Sequence, residues 1–182
     1  MGFDWSAAAG SLAVVPALER LELLAEPVAA SVRELGDERI GVAEIDPELA
    51  DTAAFCAEYG SPLALSANCV VVAGKRAGEV RHAACLVLAT TRADVNGVVK
   101  RRLDVRKASF ASMDDAVELT GMEYGGITPF GLPGDWPVLV DAEVAEAGAV
   151  VVGSGVRRSK IIAPGAALAE LPGAEIVAGL GR

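Results

Sequence analysis

The segment between residues 69 and 90 constrains the fold of this chain more than any other segment. Apolar, partly β-branched residues fill Cys69–Ala73 and Ala83–Thr90, and a polar stretch with two glycines separates them. Two such runs on either side of a short turn predict a β-hairpin. Because a hairpin pairs consecutive strands antiparallel, it argues against a strictly alternating, fully parallel α/β sheet.

Short strands and short helices are mixed along the rest of the chain. Apolar runs predict strands at residues 39–45, 107–110, 137–140, 148–152, 161–162 and 174–177. Helical periodicity and capping residues predict helices at residues 12–25, 46–59, 94–103, 112–119 and 164–171. This order predicts the α+β class with a mixed β-sheet.

The composition predicts a folded domain with an aliphatic core. The 182 residues are 52% apolar but only 4% aromatic, and a chain of this length buries roughly two-thirds of the surface that its unfolded form exposes. Disorder is therefore excluded as the main state. The small number of aromatic residues also argues against a row of stacking platforms for single-stranded nucleic acid.

The net charge of −9 is unevenly distributed along the chain. Residues 1–60 hold twelve acidic and three basic side chains, whereas residues 75–107 hold nine basic and three acidic ones. The total argues against extensive wrapping of a phosphate backbone, since phosphate affinity comes from Lys and Arg. The basic stretch, which contains Lys75 and Lys100–Arg102, is either a solvated helix face or a surface that faces phosphate.

Membrane and secreted classes are not indicated. No uncharged apolar stretch reaches the roughly 18 residues that span a bilayer, and the first residues lack the basic region of a secretory signal. Cys56, Cys69 and Cys85 are odd in number and too widely spaced for a paired metal site, which predicts buried, reduced thiols. We expect a cytoplasmic protein, and the excess of arginine over lysine, 12 to 4, is typical of a GC-rich bacterial genome.

The common catalytic arrangements are missing from the sequence. A lone histidine such as His82, which enters a predicted strand, is more often structural or solvated than catalytic. No nucleophile elbow, HExxH, Walker A or GxGxxG pattern occurs, and no set of three or four metal ligands is clustered. The sequence therefore predicts neither a metal nor a cofactor.

Two glycine loops and one carboxylate are candidate site features. Gly125–Gly126 either exposes backbone groups to a ligand or belongs to an Ω-loop packed by its apolar neighbours. Gly153–Gly155, followed by Arg157 and Arg158, either holds an anion or forms a tight turn between strands. Asp141, at the end of an apolar strand, either caps the next segment or serves a site, because a buried carboxylate without partners is costly.

These features occur in one order, which is Gly125-Gly126-Ile127-Thr128-Pro129-Phe130-Gly131, then Val138-Leu139-Val140-Asp141, then Val151-Val152-Gly153-Ser154-Gly155. After a hairpin and a basic helix, this order resembles the family of YbaK and prolyl-tRNA synthetase-associated editing domains, over residues 39–177. The resemblance implies a single α+β domain with a curved mixed β-sheet flanked by helices, at residues 39–182. Residues 1–38 would form an acidic helical extension outside it.

The resemblance also implies hydrolysis of the ester between a tRNA and a wrongly attached amino acid. The catalytic residues would be Gly126, which would present backbone groups to the substrate, and Asp141, which would order the pocket. Gly153–Gly155 would contact the 3′-terminal nucleotide. The residues expected to bind substrate are Asn68, Gly125, Thr128, Gly153, Ser154 and Gly155, and those expected to bind tRNA are Lys75, Lys100, Arg101, Arg102, Arg157 and Arg158. The family commonly has a lysine where this chain has Ala67, and neither Ala67 nor Asn68 can replace its charge.

Three hypotheses of function follow. The first is a stand-alone aminoacyl-tRNA deacylase of translation quality control, which would act by a substrate-assisted reaction on a tRNA of the Cys- or Ala-tRNA(Pro) class. Its partners would be the tRNA acceptor end and, as a candidate, a tRNA synthetase. The alternative is a non-catalytic module that binds an aminoacyl or nucleotide ligand and has lost the reaction with the lysine. The third, a structural or protein-binding domain, requires side chains to fill the pocket.

Overall fold

The computed structural model describes residues 2–182. Within this range the strands are β1 (Val15–Pro16), β2 (Gly41–Glu44), β3 (Ala67–Arg76), β4 (Glu79–Leu88), β5 (Ala108–Phe110), β6 (Val138–Asp141), β7 (Val150–Gly153), β8 (Ser159–Ala163) and β9 (Ala174–Val177). The α-helices are α1 (Ser6–Ala9), α2 (Glu26–Leu35), α3 (Thr52–Tyr59), α4 (Lys100–Leu103), α5 (Met113–Thr120), α6 (Ala142–Ala145) and α7 (Gly165–Ala169). A wider helical turn, Val95–Val99, runs directly into α4.

The predicted hairpin is confirmed, and its turn is tighter than the sequence indicated. β3 and β4 pair antiparallel along their whole length, and only Ala77 and Gly78 connect them. Both residues have positive φ, 51° and 79°, which is the backbone of a two-residue turn that matches the twist of the strands. β5 pairs antiparallel with β3, whereas β6 and β9 add parallel strands beyond β4. The five-stranded sheet, in the order β5-β3-β4-β6-β9, is therefore mixed as expected.

The other strands form a second, antiparallel sheet in the order β1-β2-β8-β7. A parallel bridge between Ser66 and Val151 joins its β7 edge to the start of β3. The predicted α+β class is confirmed. The structure adds that the strands are divided between two sheets that meet at this bridge.

The main core lies between the two sheets. Apolar residues of the five-stranded sheet pack there with residues of the four-stranded sheet and of α2, and these include Ala67, Leu86, Val138, Val140, Val42, Val152, Ile161, Val28 and Val32. The opposite face of the five-stranded sheet is covered by the helical segment 95–103 through Val99 and Leu103. The outer face of the four-stranded sheet is covered by α1 and α3. This arrangement brings α3, the start of β3 and β7 to one junction.

Local capping signals were predicted more accurately than the extent of the helices. Asp94 and Ser112 accept hydrogen bonds from backbone N–H groups at the starts of their helices, as expected. The helix predicted at 12–25 is wrong, because β1 and two single 3-10 turns occupy that segment. Pro27 lies in the first turn of α2, where its missing N–H costs nothing. The helix predicted at 46–59 is also interrupted, since Asp46 caps a separate 3-10 turn and α3 begins at Thr52.

The segment before residue 38 packs into the rest of the chain. Val28 and Val32 of α2 are fully buried in the main core, and the indole Nε1 of Trp5 donates to the Arg39 carbonyl at 2.8 Å. The domain boundary at residue 38 stays a prediction, although the segment shares the core of residues 39–182. None of the helices in residues 2–182 has the length and apolar character needed to cross a bilayer.

Candidate functional site

A cavity of about 420 Å³ opens where the two sheets meet. Its walls come from α3, the first half of β3, the strand β7 and the loop Gly125–Ile127, and both residues of the Ser66–Val151 bridge line it. The space is not filled by side chains, which removes the support for a purely structural domain. Because its walls are distant in sequence, the cavity exists only in the folded chain.

Lys160 of β8 supplies a buried cation to this cavity, and sequence reasoning missed it. The residue is only 8% exposed. Its Nζ donates to the Ala50 carbonyl at 2.8 Å and lies 5.3 Å from the centroid of the Phe55 ring. Burial, with a smaller contribution from Arg157, lowers the pKa of Lys160 to about 8. The available signal was a single lysine in the otherwise buried strand Ser159–Ala163, and an unpaired charge there is costly.

The start of β3 forms a polar wall of the cavity, which contains Asn68, one of the residues predicted to bind substrate. The Asn68 Oδ1 accepts a hydrogen bond from the Thr52 hydroxyl at 3.0 Å, and both residues line the cavity. Ala67, at the position where the family commonly has a lysine, also lines it and is buried. Of the residues that line the cavity, Lys160 on β8 is the one that carries a positive charge.

Neither the Cys69 thiol nor His82 provides a nucleophile at this cavity. Cys69 lines it, but burial raises the pKa of the Cys69 thiol far above its ordinary value, which keeps it protonated. His82 does not line the cavity, and its ring stacks on Trp136 with centroids 5.0 Å apart. The stacking agrees with the structural role expected for His82.

The two glycine loops pack against each other at the cavity wall. Gly125 and Gly153 line the cavity, whereas Gly126 lies behind them. The Gly126 N–H donates to the Glu123 carbonyl at 3.0 Å, and its carbonyl accepts from the Gly155 N–H at 2.6 Å. A β-carbon on Gly126 would come within 2.8 Å of the Val156 carbonyl oxygen. Close approach of protein backbone is therefore sufficient to require glycine at position 126.

Four further predicted residues, Gly155 among them, lie outside the cavity wall. Asp141 is buried and accepts a hydrogen bond from the Gly181 N–H at 3.2 Å, on the sheet face that the 95–103 segment covers. The buried Ser154 hydroxyl lies within hydrogen-bond distance of the Ser159 hydroxyl and carbonyl, which holds the loop 153–159 in shape. Thr128 is fully buried, and its Oγ1 has no hydrogen-bond partner among residues 2–182.

Only Arg157, among the predicted tRNA-binding residues, lies beside the cavity. Its guanidinium contacts the Pro47 carbonyl at 3.2 Å and lies 3.7 Å from Asp51. Arg158 instead donates to the Glu22 carbonyl, and Lys75 lies at the far end of the hairpin. The Lys100–Arg102 cluster belongs to the helical segment on the opposite face of the five-stranded sheet.

Two exposed aromatic residues mark the mouth of the cavity. Phe110 is 60% exposed and Tyr124 is 53% exposed, yet both line the cavity. Single exposed apolar side chains are normal, but two that border the same cavity are candidate contacts for a ligand. Their positions in the sequence carried no periodic signal, because Phe110 ends a short strand and Tyr124 lies in a loop.

Comparisons with known proteins found matches for the sequence and for the fold. A sequence model described as the aminoacyl-tRNA editing domain matches residues 46–171, whereas no curated protein matches the chain. A crystal structure described as a candidate trans-editing enzyme for prolyl tRNA synthetase is similar, with a TM-score of 0.73 and 21% identity over 87% of this chain and 96% of that chain. The structure of a hypothetical protein has a TM-score of 0.74 and 22% identity over 86% and 100% of the two chains. At these identities the two structures establish the fold.

Proposed function

The chain belongs to the aminoacyl-tRNA editing domain family, and on that premise we propose that it is a stand-alone deacylase for mischarged tRNA. It hydrolyses the ester that joins a wrongly attached amino acid to the 3′-terminal ribose. The cavity between the sheets carries this proposal, because its volume of about 420 Å³ is in the range of small-ligand sites. An aminoacyl group would enter it while the rest of the tRNA stays outside.

Backbone donors supply the catalytic chemistry in this proposal. The N–H groups of Gly125 and Ile127 belong to residues that line the cavity, and they have no acceptor within residues 2–182. Donors that are already in place stabilise the oxyanion formed when water attacks the ester. A hydroxyl of the terminal ribose holds the attacking water, so the reaction is substrate-assisted. Gly126 acts as a positioning residue, because its bonds to Glu123 and Gly155 fix the loop.

The nucleotide would bind at the mouth of the cavity. Phe110 and Tyr124 offer exposed ring faces on which the terminal adenine can stack. Arg157 is close enough to the cavity to meet a phosphate of the acceptor end. Lys75 and the Lys100–Arg102 cluster lie farther away and would contact more distant parts of the tRNA. Asp141 would support the site indirectly, through the chain segment that it holds.

A deacylation screen tests the proposal directly. The purified protein is incubated with tRNAs that carry labelled, wrongly attached amino acids, including Ala-tRNA(Pro) and Cys-tRNA(Pro), with Pro-tRNA(Pro) as the matched control. We expect release of at least one wrong amino acid and no release of proline beyond the spontaneous rate. A protein that releases nothing from the whole panel is not a deacylase of this class.

Ala67 favours a second candidate function, a module that binds an aminoacyl or nucleotide ligand without turnover. Alanine at this position lacks the charge that the family's editing members commonly have there. This candidate predicts saturable binding of an uncleavable aminoacyl-adenosine analogue together with no release in the screen. Binding and release by the same cavity would instead favour the deacylase.

A further inference from the structure

The deacylation steps described above leave Lys160 without a role. Its side chain is only 8% exposed, and its Nζ has one acceptor, the Ala50 carbonyl at 2.8 Å. An ammonium group has three N–H donors. Among residues 2–182, no second hydrogen-bond acceptor lies within 3.5 Å of Nζ. Two donors of a buried cation therefore remain available in a cavity large enough for a ligand.

The charged groups around Lys160 leave a local excess of positive charge. Arg157 disfavours the ammonium, whereas Asp51 and Cys56 favour it. Asp51 is shared with the Arg157 guanidinium, 3.7 Å away. Among residues 2–182 no carboxylate oxygen lies within 4.0 Å of Lys160 Nζ. A buried charge without a counterion is costly, and an anionic ligand would remove that cost.

We infer that Lys160 is the anion-binding residue of the cavity and that its free N–H groups bind an anionic oxygen of the ligand. The inference takes its ligand from the proposed function. The end of an aminoacyl-tRNA offers two such oxygens, one on the phosphate of the terminal nucleotide and one on the tetrahedral oxyanion. Lys160 thereby supplies, from β8, the charge that Ala67 does not supply from β3.

The affinity ratio between AMP and adenosine tests phosphate binding without any turnover. The two molecules differ only in the 5′-phosphate. We expect the wild-type protein to bind AMP at least tenfold more tightly than adenosine, as measured by calorimetry, and Lys160→Met to reduce this ratio to below twofold. Lys107→Met is the matched control, because Lys107 is exposed and outside the cavity wall and its loss changes the net charge equally. The control should keep the wild-type ratio.

Titration of Lys160 itself gives a second readout that needs no substitution. Followed by NMR of the lysine side chain, the pKa of about 8 in the free protein should rise when AMP binds, because an anion favours the charged form. Adenosine should leave it unchanged. The preference for AMP should accordingly decline as the pH rises above the pKa of Lys160. A pKa of Lys160 that responds to neither ligand would exclude the phosphate as the group that Lys160 binds.

Kinetics separates the two sources of the anionic oxygen. If Lys160 binds the phosphate, Lys160→Met raises KM for mischarged tRNA and abolishes the AMP preference. If Lys160 binds the oxyanion, the variant has a lower kcat at unchanged KM, and the wild-type protein already binds AMP and adenosine with similar affinity. The inference is overturned if Lys160→Met keeps the AMP preference of the wild type and also has unchanged kcat and KM. A lysine-dependent AMP preference in a protein that releases no amino acid would keep this inference and reject the proposed deacylation.

Discussion

Replacing Lys160 with methionine should stabilise the folded protein at neutral pH. The pKa of Lys160 is about 8 instead of its ordinary 10.5, chiefly because the side chain is buried. Each pKa unit corresponds to about 1.4 kcal/mol, so the charged form costs about 3 kcal/mol more in the folded protein than in the unfolded chain. Methionine removes this cost but also removes the hydrogen bond to the Ala50 carbonyl, which is worth about 1 kcal/mol. The net expectation at pH 7 is a gain of about 2 kcal/mol.

The sign of this effect should reverse at high pH. A lysine whose folded pKa is lowered imposes its full cost below the folded value, because there both states hold the proton. Between pH 8 and 10.5 the folded protein releases the proton while the unfolded chain keeps it, so the stability of the wild type rises relative to the variant. Above pH 10.5 only the lost hydrogen bond remains, and the wild type should be the more stable by about 1 kcal/mol.

Urea unfolding of both proteins at several pH values measures this difference. Titrating groups that do not interact with Lys160 are common to the two proteins and cancel when the free energies of unfolding are subtracted. Lys107→Met serves as the control, since an exposed lysine should give a difference that does not vary with pH. A Lys160→Met difference that is constant from pH 7 to pH 11, or a variant that is less stable at pH 7, would refute the reasoning.

Four other predictions concern the loops, the mouth and the basic cluster. Thr128→Val should raise the free energy of unfolding by about 1 kcal/mol, because the buried hydroxyl has no hydrogen-bond partner in residues 2–182. A lower free energy of unfolding in urea would mean that the hydroxyl does have a partner. Gly126→Ala should lower the free energy of unfolding by about 2 kcal/mol, because the added β-carbon comes within 2.8 Å of a backbone oxygen. Gly134→Ala is the control and should be nearly neutral in the same assay, because its β-carbon would have no other atom within 4 Å. Phe110→Ala should raise KM for mischarged tRNA about tenfold at unchanged kcat, through lost base stacking, and an equal KM would exclude a stacking role. Replacing Lys100, Arg101 and Arg102 with glutamine should weaken binding of whole tRNA and leave AMP affinity unchanged. The slope of the logarithm of the tRNA binding constant against the logarithm of the salt concentration should become smaller by about 2. A slope equal to that of the wild type would mean that the tRNA does not contact this cluster.

Local features of the fold were predictable because neighbouring residues decide them. The hairpin of β3 and β4 follows from two apolar runs around a short polar turn, and the capped helix starts at Asp94 and Ser112 follow from side chains that reach their own backbone. The helix expected at 12–25 failed for the opposite reason. Its leucines have helical spacing, but the segment forms β1 and two 3-10 turns, with Leu23 and Leu24 buried in the main core, and Pro27 lies in the first turn of α2.

The family could be identified from the sequence alone, because the order of its three short segments can be recognised without knowing their contacts. The reason for each glycine could not be identified. At Gly126 the close neighbour is the backbone of residues 153–156, which is adjacent only after the two loops pack together. Asp141 is buried, and its hydrogen-bond partner is Gly181, 40 residues later in the chain, which no local pattern could indicate.

The sequence by itself determined the α+β class, the hairpin, the order of the editing-domain segments and the missing charge at Ala67. Only the tertiary structure decided which charged side chain lines the cavity, namely Lys160. Lys160 is distant from Asn68 in the sequence, and they line one cavity because β7 meets the start of β3 at the Ser66–Val151 bridge. A pattern of neighbouring residues reports local backbone preference, whereas a site built between two sheets depends on contacts that form when the sheets pack.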